Sequence, residues 1–125
     1  MNVTVSFTDK AEYLLVKSVD TVSTVEDIVD HAKGIFTEAV KYSQKKLLVD
    51  LKEVTRPNKP FYYYEAIQRM LIELPISIRS FVTALVVPEE YKDLGQFIET
   101  TALNRGLQFR VLVSEQEAHD WPVSR

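Results

Sequence analysis

The sequence of 125 residues contains no cysteine, which excludes disulfide bonds, zinc sites built from thiolates and thiol nucleophiles. Glycine is scarce as well, and the glycines at positions 34, 95 and 106 are isolated from one another. Neither a phosphate-binding loop, a G-x-G-x-x-G pattern nor a G-x-S-x-G nucleophile elbow is present. The sequence therefore offers no recognisable motif for nucleotide binding or acyl transfer.

Histidine is limited to His31 and His119. A protein metal site takes three or four ligands, usually with one close spacing such as i, i+4, and neither histidine has such a neighbour. We therefore expect no metal ion and no other cofactor, and both histidines are predicted to be structural or surface residues. Asp50, in a predicted buried strand, is expected to accept hydrogen bonds. An enzyme that uses Asp50 with Lys52 or Tyr63 is the weakest functional alternative.

Positive charge does not predominate, since the net charge is -3, and general nucleic-acid binding requires a basic surface. Long hydrophobic runs are missing too, because the longest, residues 81–87, falls far short of the ~20 residues that span a bilayer. Residues 1–7 lack the basic leader and apolar core of a signal peptide. These features predict a cytoplasmic protein with no membrane span and no nucleic-acid partner.

The apolar pattern predicts one α/β domain over residues 1–125, with the element order β-β-α-β-α-β-α-β-α. Residues 3–7 and 13–19 are predicted strands joined by a short connection, which favours an antiparallel hairpin. Ser23 to Glu26 fits a capping box, and an amphipathic helix is predicted to follow from about residue 25 to residue 42. The remaining alternation of strands and helices predicts a mostly parallel sheet with flanking helices.

The central strand is predicted over residues 46–51, followed by a basic loop over residues 52–60. Pro60 suits the first turn of the next helix, and Pro75 ends it. The predicted buried stripe of this helix is Tyr64, Ile67, Leu71 and Leu74, and the predicted water-facing residues are Tyr62, Ala66, Arg69 and Glu73. Residues 80–87 form another apolar strand, Gly106 ends the third helix, and residues 107–113 form a half-exposed strand. A second capping box at residues 114–117 begins a short helix that carries Trp121 and stops at Pro122.

The order of elements resembles the STAS-like, or SpoIIAA-like, superfamily of anti-sigma-factor antagonists, in its bacterial stand-alone branch. Residues 45–51 are similar to the central strand of that superfamily. Residues 97–100 with 104–107 are similar to its third helix and last strand, and residues 117–121 to its closing helix. The resemblance implies a non-enzymatic module: some members bind a partner kinase or a transport protein, and the CRAL-TRIO relatives hold lipophilic ligands.

The segment after the central strand departs from the regulated members, which carry an Asp-Ser-Ser-Gly-type motif with a phosphorylated serine. Here residues 53–60 contain neither serine nor glycine, and Thr55 is the one hydroxyl. We therefore expect no serine phosphorylation switch at this place.

The loop after the central strand is the predicted partner-binding site, because ligands bind at the carboxyl edge of open α/β sheets. Exposed tyrosine together with arginine is typical of interface anchors. The alternative for the loop is a solvated surface with its aromatic residues folded back over the sheet. The candidate residues are Lys52, Arg56, Asn58, Lys59, Tyr62, Tyr63 and Arg69.

The sequence therefore predicts a STAS-like regulatory or protein-interaction module whose partner is another protein. The alternative is a small carrier of a lipophilic ligand, related to CRAL-TRIO domains. Its cavity would be lined by aromatic residues that otherwise belong to the packed core, namely Phe36, Phe61, Tyr64, Phe97 and Trp121. A homodimer through an exposed strand edge is a further alternative.

Overall fold

A five-stranded sheet organises the chain, of which the computed structural model describes residues 2–113 and 115–121. The strands are β1 (Asn2–Asp9), β2 (Leu14–Thr21), β3 (Lys46–Thr55), β4 (Val82–Val86) and β5 (Gln108–Leu112). The helices are α1 (Val25–Lys41), α2 (Pro60–Glu73), α3 (Lys92–Leu103) and α4 (Glu115–Asp120). Short 3-10 turns occupy Ile76–Ser80 and Glu89–Tyr91. The predicted α/β fold and element order are confirmed.

The strands lie side by side in the order of the sequence, with β1 antiparallel to β2 and every later pair parallel. Each parallel connection therefore steps in the same direction across the sheet. Since such crossovers are right-handed, the connecting helices must all lie on one face of the sheet. The contacts of α2 with both α1 and α3 agree with a single layer of three helices.

Two hydrophobic clusters lie on opposite faces of the sheet because successive strand residues point to opposite sides. Leu47 and Val49 of β3 pack under the three helices, whereas Leu48 belongs to the second cluster. Trp121 at the end of α4 is almost fully buried in that second cluster and contacts Tyr13 edge-on, with ring centroids 6.4 Å apart. Alpha4 thus covers part of the face that the three large helices leave open.

The first helix begins at Val25 as predicted, but its capping box lies one residue later than predicted, at Thr24 and Asp27. The N-cap is Thr24, whose hydroxyl accepts a hydrogen bond from the backbone N–H of Asp27 at 3.0 Å. The carboxylate of Asp27 accepts in turn from the backbone N–H groups of Ser23 and Thr24. Asp27 therefore takes the role predicted for Glu26, because with Thr24 as the N-cap the third helical position is residue 27.

The central strand is longer than predicted and runs to Thr55, so the predicted loop over residues 52–60 is half strand. Its register with β2 shifts between Lys17 and Val19, and the pairing then continues to Thr21 opposite Thr55. Residues 56–59 form the actual loop. The charged pair Lys52 and Glu53 suggested a loop, but both side chains are exposed on the continuing strand.

The predicted phase of α2 was wrong by one position. The buried residues are Tyr63, Ala66, Ile67 and Met70, whereas Tyr64 is exposed. Apolar residues occur almost all round this helix, so both phases satisfy the i, i+3, i+4, i+7 rule. The phase with small Ala66 inside suits a helix that contacts neighbouring helices on two sides.

The second half of the chain follows the prediction closely. Leu94, Ile98 and Ala102 of α3 are buried, and Gly106 after this helix adopts a φ of +84°, the left-handed conformation that favours glycine. Ser114 and Pro122, to which the second capping box and the helix stop were assigned, lie outside the described residues.

Candidate functional site

A cavity of about 80 Å³ lies between the layer of three helices and the sheet. Its walls are mostly apolar and come from α1, β3, α2, β4, α3 and β5. The polar side chains that line it are His31, Arg56, Tyr63 and Thr83. Among the lining residues that the structure describes, none is acidic. The carboxyl end of β3 supplies Arg56, so the polar part of the cavity lies where ligands bind in open α/β folds.

Arg56 was predicted to be a partner-binding residue of the loop after β3, but its guanidinium turns inward. The group lies over the ring of Tyr63, with 5.5 Å between the guanidinium carbon and the ring centroid. Its Nε is buried and has no hydrogen-bond partner. Burial lowers the pKa of Arg56 from its ordinary value, and the neighbouring Tyr63 and Tyr91 act in the opposite direction. The structure therefore places a buried cation beside two phenols.

His31 is the second basic residue of the cavity and is neutral at pH 7. Its Nε2 lies 2.8 Å from the hydroxyl of buried Ser18 in β2. Burial, assisted by the positive charge of Arg56, lowers the pKa of His31 to about 4. The prediction of a structural histidine is consistent with this position, although the cavity was not foreseen.

Two tyrosines fasten the loop that carries Arg56. The hydroxyl of Tyr63 donates a hydrogen bond to the carbonyl of Pro57 at 2.9 Å, and Tyr91 donates to the carbonyl of Arg56 at 3.2 Å. Burial also raises the pKa of Tyr63, which keeps its phenol protonated. Tyr63 is therefore not the surface residue that the sequence predicted, but a buried support for the loop.

The start of α2 presents two groups of aromatic and basic side chains, which we together call the aromatic–basic patch. One consists of Phe61, Tyr64 and Arg105, and the other of exposed Lys59 and half-buried Tyr62. Phe61 is 70% exposed and stacks on Tyr64 with ring centroids 6.0 Å apart. The ammonium of Lys59 lies 5.1 Å from the ring centroid of Tyr62. The guanidinium carbon of Arg105 lies 4.7 Å from the ring centroid of Tyr64. The patch thus combines two exposed aromatic rings with cations that already rest on aromatic faces.

The structure brings together only part of the predicted partner-binding set. Lys59 and Tyr62 belong to the aromatic–basic patch, and exposed Asn58 precedes Lys59 in the loop. Lys52 forms an ion pair with Asp50 at 3.8 Å. Since Leu48, two residues before Asp50, belongs to the second cluster, Lys52 lies on the opposite face of the sheet.

Arg69 was included in the predicted site but takes part in a network of ion pairs between helices. Its guanidinium contacts Glu26 of α1 at 2.6 Å and Glu73 of its own helix at 3.1 Å. Lys33 of α1 contacts Glu73 as well, at 2.9 Å. Arg69 therefore helps to hold α2 against α1, away from the aromatic–basic patch.

Sequence reasoning missed Phe61, Tyr64 and Arg105 as surface residues. Phe61 and Tyr64 were not predicted as surface residues because the phase of α2 was ambiguous. Arg105 was not predicted because it follows α3 and is far from α2 in sequence. Thr83 and His31 were missed as cavity residues because each lies inside an apolar pattern. No local sequence signal distinguishes such positions from ordinary core.

Asp50 accepts a hydrogen bond, as the sequence predicted. Its carboxylate accepts a hydrogen bond from the backbone N–H of Lys52 at 3.0 Å. Of the aromatic residues proposed to line a lipophilic cavity, Phe36 does so. Phe61 and Phe97 are exposed, and Trp121 packs on the opposite face of the sheet.

The described residues contain neither a cluster of metal-binding side chains nor a membrane-spanning helix. Histidine, aspartate and glutamate side chains do not gather in threes or more with the geometry of a metal site anywhere in that part of the chain. Within the same residues, every helix is too short or too polar to cross a membrane.

Comparison with known proteins shows the fold of the chain. No protein-family model matches it, and no curated protein is significantly similar. Among solved structures, an anti-sigma factor antagonist from Mycobacterium paratuberculosis has a TM-score of 0.58 at 12% identity, covering 98% of this chain and 95% of the other. An uncharacterised protein with a SpoIIAA-like fold from Shewanella loihica PV-4 has a TM-score of 0.54 at 12% identity, covering 96% and 93%. The resemblance predicted from the sequence is therefore confirmed at the level of the fold.

Proposed function

We propose that this chain, which has a SpoIIAA-like fold, is a non-enzymatic regulatory module that binds another protein through the aromatic–basic patch. The observation that carries the proposal is the exposed stack of Phe61 on Tyr64, with the guanidinium of Arg105 over the ring of Tyr64. Tyrosine and arginine are the residue types most enriched among the side chains that dominate binding energy.

The patch is organised before any partner arrives. Each ring and each cation in it already has a neighbour that restricts its orientation, so less side-chain entropy is lost on binding. Covering the exposed ring of Phe61 alone would contribute roughly 1.5–3 kcal/mol by the usual burial estimate. Burial of Phe61 and Tyr64 together would therefore supply part of the free energy of a complex, to which the rest of the interface must add.

The charge of the patch defines the chemistry of the partner. Lys59 and Arg105 make it locally basic, although the whole chain carries a net charge of -3. A partner with an apolar socket rimmed by carboxylates matches both features, because it covers the aromatic rings and pairs with the cations at the rim.

The structural relatives support a protein partner. One of the solved structures with this fold is an anti-sigma factor antagonist, which by its name acts on another protein. Residues 53–60 of this chain lack serine. We therefore propose that binding here does not depend on a phosphorylated serine after β3.

Affinity enrichment from lysate of the source cells tests the patch. The triple variant Lys59→Ala, Phe61→Ala, Tyr64→Ala removes two rings and one cation without disturbing the buried side of α2. We expect a protein that is enriched with the wild type and lost with this variant. Once that protein is purified, its affinity for the variant should be at least about 100-fold weaker, measured by calorimetry.

The matched control changes similar residue types elsewhere on the surface, with Val40→Ala, Tyr42→Ala and Lys45→Ala. Tyr42 and Tyr64 are almost equally exposed, at 37% and 36%. This control should enrich and bind the partner like the wild type. Equal recovery with both triple variants would contradict the proposal. A change of oligomeric state with the first variant alone would assign the patch to a second copy of the chain and would also contradict it.

A further inference from the structure

The two edges of the sheet differ in how their backbone groups are used. At the β5 edge, the carbonyl of Leu112 accepts a hydrogen bond from a backbone N–H that follows β4, at 2.9 Å. Val111 and Val113 therefore direct their N–H groups away from β4, because these groups alternate in direction along a strand. The N–H of Val111 donates to Glu99 at 2.6 Å, and that of Val113 donates to Glu117 at 3.2 Å. Carboxylates thus already occupy the outward N–H groups of this edge, which hinders pairing with a further strand.

The opposite edge of the sheet, formed by β1, is open. Across the hairpin, the N–H of Lys10 donates to the carbonyl of Tyr13 at 2.9 Å, so alternate residues back along β1 also turn their N–H and C=O groups towards β2. Val5 and Phe7 lie between these residues and direct their backbone groups outward. Beta1 pairs with β2 over all eight of its residues without a bulge. In the described part of the chain, no side chain forms a hydrogen bond with the backbone of residues 4–8.

The side chains of β1 also favour pairing with another strand. Residues 2–8 contain no charged residue, no proline and no glycine, although 26% of the whole chain is charged. Natural edge strands usually carry lysine, proline or a bulge, which prevents pairing with other chains. Val5 and Phe7 are only half-buried and line an open groove beside α1. A further strand at this edge would cover both side chains and would pair with the outward backbone groups.

The sequence of β1 is complementary to itself in one specific register. A two-fold axis through Ser6, perpendicular to the sheet, places two copies of β1 antiparallel to each other. On the helix side, Val5 then lies opposite the partner's Phe7, and both residues direct their backbone groups into the contact. On the other side, Thr4 lies opposite the partner's Thr8. Pairs of an aromatic with a β-branched residue and pairs of threonines are favourable cross-strand neighbours, and no like charges face each other.

We propose that two copies of this chain pair through β1 in this register, which joins their two sheets into one continuous sheet. The contact is a single pair of strands and buries a small area, so the dimer is reversible and depends on protein concentration. Beta1 contributes no residue to the aromatic–basic patch. The dimer therefore presents the patch twice, and its formation does not depend on the protein partner.

Sedimentation velocity of the purified chain, from about 5 to about 500 μM, tests whether the dimer forms. We expect the wild type to change from monomer to dimer across this range. Val5→Pro removes an outward N–H that makes no bond to β2, so the variant should remain folded and monomeric. Circular dichroism checks its fold, and charges at position 6 test the same edge without proline.

Charge substitutions at Ser6 test the two-fold axis directly. This residue is exposed in the single chain and lies opposite itself in the proposed dimer. Ser6→Lys and Ser6→Glu each place like charges face to face, so each variant alone should dimerise about fivefold more weakly than the wild type at low salt. An equal mixture of the two variants should dimerise at least as well as the wild type, because opposite charges then face each other.

Disulfide trapping tests the register, and the natural absence of cysteine makes each single variant unambiguous. Opposite residues of a pair without backbone hydrogen bonds have Cα atoms about 4.5 Å apart, which a disulfide can bridge. Ser6→Cys should therefore form a covalent dimer under mild oxidation, seen on a non-reducing gel. Thr8→Cys is the matched control, because this residue is also exposed but lies about 14 Å along the strands from its own copy.

Three results would overturn the proposal. The first is a wild type that sediments as a monomer up to about 500 μM. The second is a mixture of Ser6→Lys and Ser6→Glu that dimerises no better than either variant alone. The third is covalent dimer from Ser6→Cys that is no more abundant than that from Thr8→Cys, which would exclude the register centred on Ser6.

Discussion

At the scale of single residues, two basic side chains lie under the helix layer, Arg56 and His31. Arg56 is a cation, whereas His31 is neutral at pH 7. Arg56 is inside although its neighbours in sequence, Pro57 and Asn58, suggest a solvated loop, and cations in loops generally extend into water. The inward turn depends on Tyr63, which is buried beneath it. The sequence predicts a cationic loop correctly but cannot tell which cation turns inward, because this depends on the phase of α2.

The buried state of His31 predicts a specific dependence of stability on pH. Its folded pKa of about 4 is below the unfolded value of 6.5, so the unfolded chain binds the extra proton between these values. Its contribution to stability is therefore complete above about pH 6.5 and decreases as the pH falls towards 4. Between pH 7 and pH 5 the loss should be about 2 kcal/mol, measured by urea unfolding of the wild type.

Replacement of each histidine isolates this effect. His31→Gln should be less stable at pH 7 but should lose most of the slope between pH 7 and pH 5. His119 is exposed, and His119→Gln should retain the slope of the wild type. An identical slope in His31→Gln and wild type would contradict the buried neutral state.

At the scale of elements, the sequence predicted correctly which helices and strands exist. It predicted less well where each element begins or ends and which face of a helix is buried. Helix α1 is strongly amphipathic and lies where it was predicted, with Val29, Ile35 and Phe36 among its buried residues. Helix α2 carries apolar side chains on nearly every side, so its phase is decided by the two helices that flank it. Strand β3 continues because β2 pairs with it beyond the register shift, which local sequence does not reveal.

Mutations at the N-terminus of α1 distinguish two alternative N-cap residues, Thr24 and Ser23. Thr24→Ala removes the hydroxyl that accepts from Asp27, and the unfolding free energy should fall by about 1 kcal/mol. Ser23 takes part through its backbone N–H, which alanine retains, so Ser23→Ala should have little effect. Chemical denaturation of both variants checks this. A larger loss of unfolding free energy in Ser23→Ala than in Thr24→Ala would contradict Thr24 as the N-cap and would support the capping box predicted from the sequence.

At the scale of the whole molecule, the sheet order explains why both candidate sites lie in the helix layer. A sheet whose crossovers always step in one direction puts α1, α2 and α3 on the same face. The alternation of strands and helices was sufficient to predict this fold. The cavity could not be predicted, because its walls come from six elements that are distant in sequence. The aromatic–basic patch was predicted in part, since Lys59 and Tyr62 follow directly from the loop after β3.

The measurement that tests the central claim most directly is hydrogen–deuterium exchange of the chain with and without its purified protein partner. Amides in the first turn of α2 lack partners within the helix and are sensitive reporters. The account predicts that the partner slows exchange mainly in residues 59–65 and 103–106, and that the triple variant Lys59→Ala, Phe61→Ala, Tyr64→Ala removes this protection. Protection confined to β1 or α4, with unchanged exchange in residues 59–65, would contradict the account.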